Sequence, residues 1–163
     1  MTVAMRGDGQ PKDIGGDALV LTAFKGELGP AAREIDGLLN DELESLVASG
    51  EFSGRLGETA VVPSNGAVNA RRVVLLGLGE RTVLDSYRLH NAYSFAGREL
   101  RRRRLQRAVL AADASLAGGA AVDAPALLRA MVTGLLVANF DAGVRTAEAE
   151  RTPPITDVVV VGF

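Results

Sequence analysis

Arginine side chains form the densest group of residues in this sequence that could bind a ligand. Guanidinium groups bind phosphates through paired hydrogen bonds, so the group could hold a phosphate-bearing ligand such as a nucleotide or DNA. It could equally form the solvated, cationic end of a helix, or ion pairs between subunits. No aromatic residues are interleaved with it, and no known nucleic-acid motif accompanies it. The candidate anion or interface contacts are Arg98, Arg101, Arg102, Arg103, Arg104 and Arg107.

A pair of glycines after an apolar run is a second candidate for ligand binding. Gly77 and Gly79 follow residues 73–76, a run of four branched apolar side chains that predicts a strand buried on both faces. The dinucleotide-binding fingerprint needs a third glycine three residues later, but that position is Thr82. No acidic residue follows a second strand at the required distance either. The pattern favours a tight strand-to-helix turn over a nucleotide site.

Residues of the kinds that bind metals or hydrolyse bonds are scattered. The one histidine, His90, lies in the middle of a predicted helix, which indicates a partly exposed structural role, and there is no cysteine. Asp36, Asp41, Glu42 and Glu44 are predicted to lie mostly on the solvent side of an earlier helix, whereas acid–base catalysis needs carboxylates that face each other in a cleft. No serine stands in a Gly-x-Ser-x-Gly motif. The sequence therefore predicts neither catalytic residues nor metal ligands in this chain.

The composition describes an ordinary globular chain. It has 163 residues, 47% of them hydrophobic, enough for one core and too few for two large domains. The net charge of −2 gives no general attraction to nucleic acid or anionic lipid. No apolar run approaches the ~18 residues that span a bilayer, and the first ten residues lack the apolar core of a secretory signal. We expect a cytoplasmic protein without membrane contact.

Strands alternate with helices along the chain. Strands are predicted at residues 17–24, 58–63, 71–76, 107–112 and 155–163, and helices at 31–49, 85–104 and from 123 onward. The order β-α-β-β-α-β-α-β favours a three-layer α/β/α sandwich on a mixed, largely parallel sheet. Asp85 or Ser86 could cap the second helix, and Asp123 the third. Residues 1–16, rich in Gly, Pro and Asp, are predicted to be a mobile leader before a single domain at 17–163.

Several segments carry a family resemblance. In order, they are Ile35-Asp36, Gly50 to Gly54 with Gly57-Glu58, Val74 to Gly79, and Gly134 with Ala138-Asn139-Phe140-Asp141. Together they resemble the N-terminal domain of the M17 family, the leucyl aminopeptidases or cytosol aminopeptidases. The resemblance extends over most of the chain, from Asp17 to Phe163. It implies a macro-domain-like fold that precedes a C-terminal catalytic domain.

The resemblance also implies where the chemistry is. In that family the C-terminal domain holds two divalent metals, zinc or manganese, and removes N-terminal amino acids from peptides. Its Asn-Thr-Asp-Ala-Glu-Gly-Arg signature is absent here, so no catalytic or metal-binding residue is carried over. The family's enzymes are typically hexamers whose N-terminal domains lie at the periphery, shaping assembly and access to the active sites. The implied partners are therefore the catalytic domain of the same polypeptide and further copies of the chain.

Departures from the family pattern affect the predicted contacts. The tyrosine and lysine that often flank the family's Phe-Asp pair are missing, and Asn139 and Arg145 stand nearby instead. Phe140 and Phe163 are candidate contacts with the catalytic domain. A macrodomain's Asn-Ala-Ala-Asn pattern is reduced to Asn69-Ala70. Two hypotheses follow: an inactive accessory domain of an aminopeptidase, or a stand-alone module that binds a phosphate ligand or DNA through the arginine cluster or a macro-like cleft.

Overall fold

A mixed β-sheet covered by helices on both faces is the framework of this chain. The structure is a computed structural model that describes residues 1–113, 116, 123–140 and 152–162. The strands are β1 (Thr2–Arg6), β2 (Gly16–Phe24), β3 (Glu27–Leu28), β4 (Thr59–Pro63), β5 (Ala70–Gly77), β6 (Arg107–Ala111) and β7 (Asp157–Val161). The helices are α1 (Pro30–Asp36), α2 (Glu42–Ser49), α3 (Ser86–Arg102) and α4 (Ala124–Asn139).

The strand order is β1-β7-β6-β2-β5-β4, with the short β3 paired to the end of β2. Strands from β1 to β5 along this order pair in parallel, whereas β4 pairs antiparallel with β5 and β3 antiparallel with β2. The turn predicted at residues 63–66 lies one residue later: the N–H of Ala67 donates to the carbonyl of Ser64, and Asn65 and Gly66 have positive φ angles. The mixed, largely parallel sheet is therefore confirmed.

The apolar run in β5 explains the three layers. Val73 and Leu75 pack into a core with α1 and α2, and Val74 and Leu76 pack into a second core with α3 and α4. All four side chains are fully buried. Because successive side chains of a strand point to opposite faces, an unbroken apolar run needs a covering layer on each side. The predicted α/β/α sandwich is thus confirmed.

Both predicted caps of the later helices are present. The side chain of Asp85 accepts a hydrogen bond from the backbone N–H of Arg88 at 2.7 Å, at the start of α3. The side chain of Asp123 accepts one from Ala126, also at 2.7 Å, at the start of α4. Each cap satisfies an N–H group that lacks a partner within the first helical turn.

The first predicted helix is in fact two, so that prediction was wrong. α1 ends at Asp36 and α2 begins at Glu42, because Asn40 and Asp41 adopt positive φ angles of 57° and 59°. A left-handed backbone cannot continue a right-handed helix. Asp36, expected on the solvent side, is also buried, with 3% of its surface exposed. The break turns its carboxylate towards the start of α2.

The structure also corrects the prediction for residues 1–16. Thr2–Arg6 form strand β1, which pairs in parallel with β7, and Pro11–Asp13 form a short 3-10 helix. Asn69 binds this segment at the start of β5. Its backbone N–H donates to the carbonyl oxygen of Lys12, and its side-chain amide donates to the carbonyl oxygen of Asp13. Sheet pairing thus extends well before residue 17, and a single domain at 17–163 remains a prediction.

Candidate functional site

The carboxyl ends of the parallel strands are where an open α/β sheet binds ligands. Ligands bind most often where successive connections leave in opposite directions along the sheet. β2 has β5 on one side and β6 on the other, so that point lies between β2 and β6. A cleft of about 250 Å³ opens nearby, at the carboxyl ends of β6 and β7 and beside the start of α1. Its polar lining residues include Gln10, Lys12, Glu34 and Asp113.

Buried polar groups lie at the carboxyl ends of β2 and β6. Thr22 is 2% exposed and Asp113 is 7% exposed. A Cβ atom on Gly29 would lie 2.6 Å from the carbonyl oxygen of Thr22 and 3.4 Å from a carboxylate oxygen of Asp113, so only glycine fits there. Tyr93 is fully buried, and its hydroxyl has no hydrogen-bond partner among the described residues. Burial, together with the negative charge of Asp113, raises the pKa of Tyr93 well above its ordinary value.

The charges of this cleft do not favour a phosphate group. Lys12 contributes the one cation among the polar residues named above, and Glu34 and Asp113 contribute two carboxylates. A phosphate ligand brings further negative charge and gains from several cationic or N–H donors. The geometry suits a small, uncharged or cationic group better than a phosphate.

A second part of the same sheet edge is the loop from Gly50 to Glu58, one of the segments that carry the family resemblance. Gly50 ends α2 with a φ of 79°, and Gly54 also has a positive φ, of 78°. Phe52 is buried in the core beneath α1 and α2, with 1% of its surface exposed. The spacing of glycines around one aromatic residue therefore encodes a loop that folds down onto the sheet.

Glu58 holds this loop together from within. One of its carboxylate oxygens accepts hydrogen bonds from the Ser53 hydroxyl at 2.7 Å, the Ser53 backbone N–H at 3.2 Å and the Arg55 backbone N–H at 3.0 Å. Partial burial by itself would raise the pKa of Glu58, but these hydrogen bonds and the charge of Arg55 outweigh it. The pKa of Glu58 is therefore lowered, and the carboxylate is a structural acceptor.

We expect the stability of the chain to fall in acid partly through Glu58. A carboxylate whose pKa is lower in the folded state stabilises the fold above its unfolded pKa of about 4.3, and this contribution is lost as the pH falls through the folded pKa. The Glu58→Gln variant should be less stable than the parent at about pH 6, and the gap should narrow by about pH 3. Urea unfolding at both pH values measures this. A gap that stays constant would contradict it.

The same loop explains why Gly77 and Gly79 occur after β5. The N–H of Gly77 donates to the carbonyl of Glu58 at 2.8 Å, and the N–H of Gly79 donates to that of Gly54 at 2.9 Å. A Cβ on Gly77 would overlap the carbonyl oxygen of Arg55. Because the glycines have no side chain, the backbone of the loop can approach β5 closely at these positions. This supports the turn interpretation, and the spacing Gly-x-Gly after a strand was the signal.

The arginine cluster is held largely by contacts within the chain. Arg101 donates to the carbonyl of Ala138 at 2.7 Å and to that of Thr152 at 3.0 Å, so it joins α3 to the end of α4. Arg102 and Arg103 both bind the carboxylate of Glu99, which is 8% exposed. Sequence reasoning missed Glu99, although its spacing of three and four residues from these arginines was the available signal.

The other three arginines of the cluster lie in different surroundings. The guanidinium of Arg98 lies 5.3 Å from the centre of the Phe95 ring. Arg104 is exposed and has a φ of 58°, just after α3. Arg107 is exposed at the start of β6, and its backbone N–H donates to Asp17. The structure therefore does not bring the six guanidinium groups together around one point.

His90 has the structural role that the sequence predicts. It is half-buried, and its Nδ1 lies 3.0 Å from the hydroxyl oxygen of Thr133 on α4. That hydroxyl donates its proton to the carbonyl of Arg129 at 2.7 Å, so the Nδ1–H of His90 is the donor to Thr133.

Within the described residues, no group of three or more His, Asp or Glu side chains could hold a metal ion. In the same part of the chain, no helix is both long and apolar enough to cross a bilayer.

Comparison with known proteins assigns this fold and its loop to a family. A model described as the N-terminal domain of the cytosol aminopeptidase family matches residues 19–144. The chain belongs to the cytosol aminopeptidase family, and it corresponds to the N-terminal domain of that family. The resemblance to the N-terminal domain of the M17 family, predicted from several segments in order along the chain, is therefore confirmed.

Two curated relatives show how much of the family this chain covers. It is 31% identical to the probable cytosol aminopeptidase of Syntrophotalea carbinolica over 132 residues, which is 80% of this chain and 26% of that protein. It is 30% identical to the probable cytosol aminopeptidase of Chlamydia abortus over 157 residues, 93% of this chain and 30% of that protein. The chain thus spans between a quarter and a third of the length of these relatives.

Solved structures place the fold among leucine aminopeptidases and macrodomains. A mutant of tomato leucine aminopeptidase superposes with a TM-score of 0.76 at 16% identity, over 99% of this chain and 32% of that one. The macrodomain of Mycobacterium tuberculosis DarG superposes with a TM-score of 0.70 at 14% identity, over 98% of this chain and 97% of that one. The macro-domain-like fold is confirmed.

Proposed function

We propose that this chain is the non-catalytic accessory domain of a metal-dependent leucyl aminopeptidase that acts in the cytoplasm. A C-terminal catalytic domain of the same polypeptide removes N-terminal amino acids from peptides. The domain described here contributes to oligomer assembly, in the family's manner a hexamer, and to access to the active sites. The observation that carries the proposal is the match of residues 19–144 to the N-terminal domain of this family, in a chain spanning 26% of its relative from Syntrophotalea carbinolica.

The residues that match the family have structural tasks, which supports an accessory role. Asp36 binds the start of α2, Glu58 organises the loop that follows α2, and Gly77 admits that loop. Asp36 is buried, and the Glu58 carboxylate, although it borders a cleft, accepts three hydrogen bonds from Ser53 and Arg55. The two divalent metals, zinc or manganese, belong in this proposal to the catalytic domain, and no residue of this chain is assigned to them.

The end of α4 is the surface that we assign to the catalytic domain. Phe140 is 84% exposed, and the neighbouring Leu136 and Val137 are 46% and 48% exposed. Three large apolar side chains at one helix end are typical of a covered surface, and the family match continues to residue 144 beside them. Asn139, next to Phe140, is bonded within the chain to the backbone of Ile155. Asp141, Arg145 and Phe163 lie outside the described residues.

Peptide hydrolysis by the isolated chain tests its accessory role. With manganese or zinc and a chromogenic leucyl substrate, we expect no turnover above that of buffer containing the same metal. The polypeptide that carries the catalytic domain, assayed in parallel, should hydrolyse the substrate. Turnover by the 163-residue chain itself would show that it holds a catalytic site, and the proposal would then be wrong.

The size of the native protein separates this proposal from a stand-alone module that binds a phosphate ligand or DNA. An antibody raised against this chain should detect, in cell extract, a band several times larger than 17.0 kDa. A band at 17.0 kDa would contradict the accessory role. The exposed arginines at the end of α3, among them Arg104, would then be the first surface to examine for salt-dependent binding.

A further inference from the structure

Among the strands that the structure describes, β1 lies at one end of the sheet with its outer edge open to pairing. All five of its residues, Thr2–Arg6, are exposed, and its partner in the sheet is β7. Val3 and Met5 are 37% and 56% exposed. Natural edge strands usually avoid pairing through charges, prolines or bulges. β1 has neither proline nor bulge in its register with β7, and Arg6 at its end is its one charged residue.

The hydrogen bonds to β7 fix which backbone groups of β1 face outward. The N–H of Thr2 donates to Thr156 at 2.7 Å, towards β7. The N–H and C=O groups of successive residues point to alternate sides of a strand. Those of Ala4 and Arg6 therefore also point to β7, whereas those of Val3 and Met5 point to the open edge. The open edge thus offers two donors and two acceptors in alternate register.

This edge is complementary to itself when a second copy is turned by 180° about the normal to the sheet. An antiparallel pair centred on Ala4 places Val3 opposite Met5 of the other copy, and each such pair exchanges two hydrogen bonds. It makes four backbone hydrogen bonds in all, and all five residues of β1 are paired. Ala4 faces its own copy at the close, non-hydrogen-bonded position, where a small side chain fits.

Charge complementarity accompanies this register. Thr2 is in register with Asp157 of β7, so the two share a face of the sheet. In the antiparallel pair Arg6 lies opposite Thr2 of the second copy, on that same face. Arg6 is then two strand spacings, about 9.6 Å between Cα atoms, from Asp157 of the second copy, within reach of an extended arginine. Two symmetry-related ion pairs result.

We propose that two copies of this chain associate through antiparallel pairing of their β1 strands, with Arg6 of each copy bound to Asp157 of the other. The occupant of the open edge is a second copy, because backbone donors, apolar side chains and charges are all self-complementary there. The pairing continues the sheet from one copy into the next. It does not depend on the accessory role, since β1 and β7 belong to this chain.

The mass of the 163-residue chain in solution, measured by light scattering or sedimentation over a concentration series, tests the proposal. A five-residue edge is small, so we expect a reversible equilibrium between 17.0 kDa and twice that mass. The Val3→Pro variant removes an outward N–H and leaves the bonds to β7 intact, so it should remain monomeric. Val3→Thr keeps the N–H and should still dimerise. A monomer at concentrations up to about 1 mM would overturn the proposal.

A charge exchange tests the register itself. Arg6→Asp and Asp157→Arg should each weaken dimerisation by about tenfold or more, because each places like charges together. The double variant should restore it, because the ion pairs are remade with their signs reversed. A dimer that persists in Val3→Pro, or a double variant no better than either single one, would show that a different surface is used.

Discussion

Replacing Asp36 with asparagine is expected to lower the free energy of unfolding by about 2 kcal/mol. The buried carboxylate accepts hydrogen bonds from the backbone N–H groups of Leu43 at 2.7 Å and Glu44 at 3.0 Å, at the start of α2. Asparagine keeps one acceptor oxygen and turns an NH₂ group towards the second N–H, which leaves a donor without a partner. Hydrogen bonds to a charged acceptor are among the stronger ones, so the loss is large for so small a change.

Asp41→Asn is the matched control for this prediction. It removes the same charge from the same turn, but Asp41 is exposed and its side chain makes no capping hydrogen bond. Its left-handed conformation, with φ of 59°, suits asparagine. Its unfolding free energy should change by less than about 0.5 kcal/mol. Equal losses in both variants, measured by chemical unfolding, would show that Asp36 acts through charge alone.

Replacing Gly134 with alanine is expected to destabilise the chain by about 2 kcal/mol although alanine is the better helix former. A Cβ at this position of α4 would lie 2.5 Å from the carbonyl oxygen of His90 and 2.8 Å from Cβ of Tyr93 on α3. Alanine gains about 1 kcal/mol of helix propensity, but the helices must separate to admit the methyl group. Separation loosens the core between α3 and α4, which approach closely at both Gly97 and Gly134.

Gly37→Ala is the control for this comparison. At Gly37 a Cβ would have its nearest neighbour at 3.8 Å, and the φ of −57° suits any residue. The substitution should be neutral, or stabilising by about 0.4–1 kcal/mol, because it reduces the freedom of the unfolded chain. If Gly134→Ala were also neutral in thermal and chemical unfolding, the close contact of α3 and α4 would not be required.

The layers of the fold could be predicted because the pattern of apolar residues indicates which positions are buried. Residues 73–76 are apolar at every position, which requires cover on both faces. The break between α1 and α2 could not be predicted in this way, since Ile35, Leu39 and Leu43 continue one apolar stripe through it. The break depends on backbone angles at Asn40 and Asp41, and apolar spacing carries no information about these.

The site could be predicted only where local chemistry determines it. The caps at Asp85 and Asp123 follow from residue type next to a helix start, and both were confirmed. The roles of Glu58 and Glu99 depend on which N–H groups or guanidinium groups surround them after folding. β1 was not predicted, because its side chains are exposed on both faces and its partner strand, β7, begins far along the chain at Asp157. A strand that is exposed on both faces lacks the alternation of apolar and polar residues by which strands are identified.

The place of β7 between β1 and β6 has a consequence for synthesis on the ribosome. In the described part of the chain, β1 pairs with β7 alone, and β7 begins at Asp157. Strand β1 therefore has no neighbour in the described part of the sheet until β7 has been synthesised. Closing so long a loop is slow and costs entropy, so β2, β5 and β6 can form a sheet well before this edge is complete. Strand β1 is then the last of the described strands to join the sheet, so its backbone groups stay accessible to a ribosome-bound chaperone after the other strands have paired.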